Sequence, residues 1–251
     1  MSEDNDLLNS LFGMLDDGGE KGDVIVKQPL FNYAGSKFRS VKEIIPLLPD
    51  RKGYIEPFGG SGSILINRKK SRLEVLNDRN SGITDFYLCI QDAILLEQMI
   101  EKINLCIHSK EFFVNAKRTW EQATTPLERG FRWYYMTMTS FGAMGRNWGR
   151  ATTPSSSTFG TKIFSAIPRF REIHARLRGV QIENTDFRRL MQDYNNEDFV
   201  MYLDPPYPTT HQSMYRHKMN DFDYKALFEG IKDYKGFVAI SGYEQEAGFI
   251  E

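Results

Sequence analysis

The most constraining feature of this chain is a strand, a glycine turn, a helix and a second strand packed into residues 54–77. YIEPF at 54–58 has the apolar and aromatic content of a short strand and runs directly into GGSG at 59–62. A helical stretch follows at 63–70, and LEVLN at 73–77 reads as the next strand. Two strands joined through a helix pair in parallel by a right-handed crossover, which predicts the opening of an α/β sheet. The alternation resumes late in the chain, with VQIEN at 180–184, a helix at 186–193, FVMYLDPPY at 199–207, a helix at 223–233 and GFVAISG at 236–242. Ahead of the first strand, FRSVKEIIPLLP predicts a helix over 37–48 that stops at its prolines.

The middle of the chain follows another pattern. Residues 80–140 have helical periodicity and no convincing strand, and a further helix is expected at 163–178. Between them, GAMGRNWGRATTPSSSTFGTK at 142–162 has neither period; loops of this length in a compact chain are usually functional or disordered. Residues 1–27 hold seven acids and two bases, a mobile tail by composition. The expected organisation is therefore a tail at 1–27, an α/β domain from 28–84 and 180–251, and a helical insert at 85–179.

With 251 residues, 41% hydrophobic and 26% charged, the chain has the material for a globular core, which excludes a disordered, collagen-like or disulfide-stapled protein. Net charge is −1, yet residues 110–190 hold fourteen Lys/Arg against six Asp/Glu, a net of +8. Such a segment points to a polyanionic partner or to a solvated surface balanced by the fold. Cys89 and Cys106 match no metal or redox spacing and suit a reducing compartment. The acidic N-terminus is unlike a signal peptide, and no apolar run approaches the ~18 residues of a membrane span. A cytoplasmic protein without membrane contact is expected.

Gly59, Gly60 and Gly62 let backbone N–H groups approach a ligand at a helix start. No Gly-Lys-Ser/Thr follows, so the turn is not a P-loop, and it is a poor dinucleotide fingerprint. Alone it would be only a turn. Asp78, just past the second strand, adds a carboxylate able to accept both hydroxyls of a ribose, which favours an adenosine-containing cofactor. At the carboxyl end of VMYL stand Asp204, Pro205, Pro206 and Tyr207, where ligands of open α/β sheets bind. The prolines fix the Asp204 carboxylate and the Pro205 carbonyl as two acceptors beside the Tyr207 ring. That set suits a flat ligand with an exocyclic amine.

EPFGGSG, NDRN, NTDF and LDPPY, in that order and preceded by NYAGSK, resemble the Dam-type DNA adenine N6-methyltransferases. The resemblance covers residues 31–242 and implies a Rossmann-like S-adenosylmethionine-dependent methyltransferase sheet with a helical target-recognition insert. It implies that Asp204, Pro205 and Tyr207 are catalytic, hydrogen-bonding and stacking on an adenine flipped out of duplex DNA. The cofactor-binding residues it implies are Tyr33, Lys37, Pro57, Phe58, Gly60, Gly62, Asp78, Asp186, Phe187 and Asp204, with no metal. Of these, Gly60 and Gly62 would pass the methionine portion, Asp78 would hold the ribose, and Asp186 with Phe187 the adenine. Phe187 reads nearly as well as plain core, and Lys37 as a phosphate contact.

RGFRWYYMTMTSFGAMGRNW at 129–148 loosely resembles the family's target-recognition segment. There Arg146, Asn147 and Arg150 are the candidates to read base edges, although for any single arginine a plain surface role is the safer reading. Arg129, Arg132, Lys162, Arg169 and Arg171 are expected to meet phosphate or solvent, and Trp133, Tyr134 and Tyr135 to be core. The family continues beyond the last strand and places Ser-Asn after it. Gly242 and an end at Glu251 lead to the expectation of a shortened chain. The expected function is a monomeric, site-specific DNA adenine N6-methyltransferase. The alternatives are a non-catalytic or truncated DNA-binding module and an RNA adenine methyltransferase. Asp204 argues against protein amides, whose enzymes carry Asn there. The base sequence read and any partner nuclease leave no mark in these residues.

Overall fold

Five parallel strands form one sheet in the order β3-β2-β1-β4-β5. They are β1 (Gly53–Glu56), β2 (Leu73–Asn77), β3 (Val180–Glu183), β4 (Phe199–Leu203) and β5 (Phe237–Ile240). The computed structural model describes residues 27–33, 35–153, 159–207 and 217–242; the expected acidic tail, Lys27 excepted, lies outside them. All five strands stand where the sequence places them, and the sheet is that of a Rossmann-like fold. β1 pairs with β2 on one side, Gly53 opposite Leu73, and with β4 on the other, Ile55 opposite Met201. The chain therefore winds outward through β2 and β3, then crosses back to build β4 and β5. A crevice opens at such a reversal, at the carboxyl ends of β1 and β4.

Side chains alternate across each strand, and both faces are apolar. Tyr54, Leu76, Val200 and Tyr202 enter the larger core, while Ile55, Val75, Met201 and Leu203 enter the smaller one. The predicted 37–48 helix is broken: α1 (Val41–Ile44) lies between 3-10 turns at Lys37–Ser40 and Ile45–Leu47, because Pro46 has no N–H to continue the ladder. α2 (Ser63–Asn67) follows the glycine turn and ends short of residue 70, where Arg68 turns extended and reaches Glu74 at 3.2 Å. The 80–140 region is four helices, α3 (Ser81–Gln91), α4 (Ala93–Asn104), α5 (Lys110–Thr119) and α6 (Pro126–Thr139). Asn80, Asp92, Ser109 and Thr125 cap them in turn, each side chain accepting from the first-turn backbone.

α3 and α6 meet at two glycines. A Cβ on Gly82 would lie 2.2 Å from Trp133 Cδ1, and one on Gly130 would lie 2.9 Å from the Phe86 backbone nitrogen. Phe86 stacks on Tyr134 with 4.9 Å between centroids, and Trp133, Tyr134 and Tyr135 are buried, as expected for core. Arg129 is not a phosphate arm: it grips buried Asp85 through two bonds of 2.6 and 3.1 Å. Arg132 bonds Glu128 and Thr119, Arg169 the Pro29 carbonyl, and Arg171 pairs with Glu97 at the surface. The aperiodic loop begins with a 3-10 turn at Phe141–Ala143 and an antiparallel bridge between Ser140 and Trp148. Then come α7 (Phe159–Lys162), α8 (Ile167–Leu177), α9 (Phe187–Asp193) and α10 (Asp221–Asp233).

Candidate active site

A cavity of about 460 Å³ opens at the carboxyl ends of the strands, in the crevice where the strand order reverses. Its floor is the glycine turn. Gly59 N–H donates to the Asn77 carbonyl and Gly62 N–H to the Gly59 carbonyl, each at 2.7 Å. Gly60 and Gly62 have φ of +48° and +60°, conformations that cost an L side chain energy. The Tyr33 ring lies against the turn, 2.9 Å from where a Gly60 Cβ would be. Ser36 ties the Tyr33 segment to the turn through the Ser61 hydroxyl at 2.7 Å and that of Ser63 at 3.2 Å.

Asp78 stands just past β2, its Oδ2 accepting from Gly60 N–H at 2.9 Å and its Oδ1 from Asn80 N–H at 2.8 Å. Burial pushes its carboxyl up to about 6, with those two N–H bonds pulling the other way. Asn77, the last residue of β2, is a brace: its amide donates to the Pro57 carbonyl at 2.8 Å and accepts from Thr185 N–H at 2.8 Å. Loops after β1 and β3 are thereby held to β2. Past β3, Asp186 caps α9 by accepting from Arg188 N–H at 3.0 Å. Its carboxylate is also gripped by the guanidinium groups of Arg79 and Arg188. Phe187 is buried against Phe58, ring centroids 5.4 Å apart, while both still line the cavity.

Asp204 closes the opposite side, at the end of β4. One oxygen, Oδ1, takes three donors: Lys37 Nζ at 2.5 Å, Ser241 Oγ at 2.7 Å and the Tyr207 hydroxyl at 2.9 Å. Oδ2 accepts no hydrogen bond among the described residues. The Lys37 ammonium lies 5.1 Å from the Tyr207 ring centroid and stands where an amine ligand would donate. Tyr33, Lys37, Pro57, Phe58, Gly60, Asp78, Asp186, Phe187 and Asp204 thus line one cavity. Pro205 and Tyr207 are buried beside it, and Gly62 sits behind the turn. Arg146, Asn147 and Arg150 are exposed on the loop after α6, outside the cavity.

Sequence reasoning missed several lining or supporting groups. Glu56 and Tyr202 face the cavity from β1 and β4, Arg79 and Arg188 hold Asp186, and Ser241 holds Asp204. For Glu56 a signal existed, an acid at the last position of a buried strand. Among the described residues no three His, Cys, Asp or Glu side chains gather as a metal site, and no helix is long and apolar enough to cross a membrane.

An open parallel sheet with a cavity at its reversal, carboxylates past β2 and β4, and a glycine turn between them defines a Rossmann-like methyltransferase. A model of the D12 class N6 adenine-specific DNA methyltransferases matches residues 33–246, and the chain belongs to that family. It is 25% identical over 197 residues to modification methylase StsI of Streptococcus sanguinis, covering 74% of this chain and 29% of that protein. Type II methyltransferase M.FokI of Planomicrobium okeanokoites is 24% identical over 209 residues, 77% of this chain and 31% of its own length. A DNA adenine methylase of Vibrio cholerae is 26% identical over 123 residues, 48% of this chain and 44% of its own. The chain thus spans under a third of the first two relatives. Methyltransferases of this kind generally use S-adenosylmethionine.

Proposed function

We propose that this chain transfers the methyl group of S-adenosylmethionine to the exocyclic N6 amine of an adenine flipped out of duplex DNA. The observation that supports this most is the pairing of Asp204 with the Asp78–Gly60 turn on opposite sides of one cavity. The residues fit the cofactor. Among the described residues each Asp78 oxygen accepts a single backbone N–H, so lone pairs remain for a ribose diol. When bound, the cofactor supplies an activated methyl on a sulfonium.

The rest is positioning by this chain. The Asp204 carboxylate and the Pro205 carbonyl accept the two N–H groups of the amine. The amine lone pair is then free of the ring as the nitrogen becomes tetrahedral, a contact strongest in the transition state. Ser241 and the Tyr207 hydroxyl fix the carboxylate, and Lys37 must yield Oδ1 or leave the amine to Oδ2. Tyr207 flanks the base, Gly60 and Gly62 keep the turn close to the cofactor, and Asp186 and Phe187 with Phe58 and Pro57 enclose its adenine. Tyr33 and Lys37 border the entry. The helical segment 85–179 serves target recognition, with Arg146, Asn147 and Arg150 exposed to DNA. The protein acts as a cytoplasmic monomer.

The test uses labelled S-adenosylmethionine with mixed-sequence duplex DNA and, separately, RNA, each digested to nucleosides. Label in N6-methyladenine from DNA, lost in Asp204→Ala, is the expected result. Label only from RNA changes the substrate, and label in neither contradicts the assignment.

A further inference from the structure

The proposed reaction occupies the carboxyl ends of the strands. At their amino ends lies a second, shallow cleft of about 610 Å³, where the chain enters β1, β2 and β4. A strand's length, on the order of 15 Å, separates it from the cavity. Five cations and three acids line it, so its charge is positive. Lys52 pairs with Asp198 at 3.0 Å and Lys69 with Asp50 at 2.9 Å, all four exposed. Arg51 and Lys70 donate instead to the backbone carbonyls of Glu197 and Arg178, which leaves their charges without an opposite charge. Arg72 is exposed and has no partner among the described residues. The proposed reaction makes no use of this surplus.

The chain carries the complementary charge beside it. Lys27 is tied to Asn67, the last residue of α2: its N–H donates to the Asn67 side chain at 2.6 Å, and its carbonyl accepts from the Asn67 amide at 3.0 Å. The Lys27 ammonium itself is taken by Glu172. Lys69 and Lys70 follow Asn67 by two and three residues, so the cleft begins within about 11 Å of this anchor. Residues 1–26 hold seven acids and a single base, Lys21. Asp23, Glu20, Asp17 and Asp16 precede Lys27 by four to eleven residues, a reach of about 13 to 40 Å. Each exposed ion pair is weak alone, but several on one short tether act at high effective concentration. We propose that the acidic segment within residues 1–26 docks on this cleft of the same chain, its carboxylates meeting Arg51, Lys70 and Arg72. The inference does not depend on the methyltransferase reading. Its consequence is that the cleft is kept from gathering DNA phosphate away from the cavity.

Zero-length carbodiimide coupling of the full chain, followed by peptide mass mapping, tests this by joining only carboxylates and amines already in contact. The Lys69–Asp50 pair serves as the internal standard. Links are expected from Asp16, Asp17, Glu20 or Asp23 to Lys70, Lys69 or Lys52, at a yield independent of protein concentration. Arg51→Glu combined with Arg72→Glu is expected to cut that yield at least about fivefold without lowering Tm, since both positions are exposed. Independently, replacing the four acids by Asn or Gln should speed acetylation of Lys70 about threefold relative to Lys110 and Lys117 in the insert. Links from the same acids to Lys110, Lys117 or Lys162 would put the segment on the basic insert and overturn the cleft as its site. A yield that grows with protein concentration would make the contact one between copies, and no links with unchanged acetylation would leave the cleft without this occupant; either result overturns the proposal.

Discussion

At the scale of single residues, Asn77 ties two loops, those after β1 and β3, to the end of β2. Its buried amide joins the Pro57 carbonyl, the Thr185 N–H and, at 3.2 Å, the Thr185 carbonyl. Asn77→Ala strands these groups away from water, at a cost of about 2–3 kcal/mol. Urea midpoints are expected to fall accordingly, and cofactor affinity to weaken because the glycine turn loses its tie; an unchanged midpoint would contradict the brace. Nothing in LEVLN marks Asn77 apart from its place at a strand end, because its partner at Thr185 is 108 residues away. The same separation hid Lys37 from Asp204, 167 residues on, although each was singled out for itself. Residues that line the cavity were legible through local motifs. Those that hold them from afar, such as Ser241 and Arg79, act across the fold and have no local pattern.

Among elements, the crossing of α3 and α6 is the tightest contact described, because Gly82 and Gly130 bring Trp133 and the Asp85–Phe86 backbone into the space of a side chain. Backbone cannot give way as a side-chain tip can. Gly130→Ala should cost about 1–3 kcal/mol through overpacking, lowering Tm by several degrees, with the helix preference of alanine offsetting only part. Thermal melts check it, and a rise in Tm would mean the helices can separate freely. The strands were readable because each is a brief apolar run bounded by turn residues. Helix limits were less so. The breaks within 80–140 lie at Asp92, Ser109 and Thr125, good caps whose choice among many polar residues depends on where the chain must turn back on the sheet. Pro46 did mark a break, but as a 3-10 turn within the segment rather than its end.

For the whole molecule, Glu56 and Asp78 leave a pH signature. Both carboxyls are raised, to about 7 and about 6, so the folded state binds their protons more tightly than the unfolded chain. Their stabilising contribution is full below about pH 4 and is lost as pH rises through 6 to 7, on the order of 3 kcal/mol for Glu56. Cofactor-free protein should therefore show a lower urea midpoint at pH 8 than at pH 5, and Glu56→Gln a shallower fall; a rise with pH would contradict this. These two acids line one cavity with Asp186 and Asp204, in sheet order from β3 to β4, and the proposed function puts both cofactor and target amine there. The most direct test of that arrangement measures S-adenosylmethionine binding and methyl transfer side by side in Asp78→Ala and Asp204→Ala. Asp78→Ala is predicted to weaken binding by about tenfold or more through lost hydroxyl contacts. Asp204→Ala is predicted to lose less cofactor affinity than Asp78→Ala and to lose transfer by at least about a hundredfold. Transfer at the wild-type rate in Asp204→Ala, or unchanged binding in Asp78→Ala, would contradict the account.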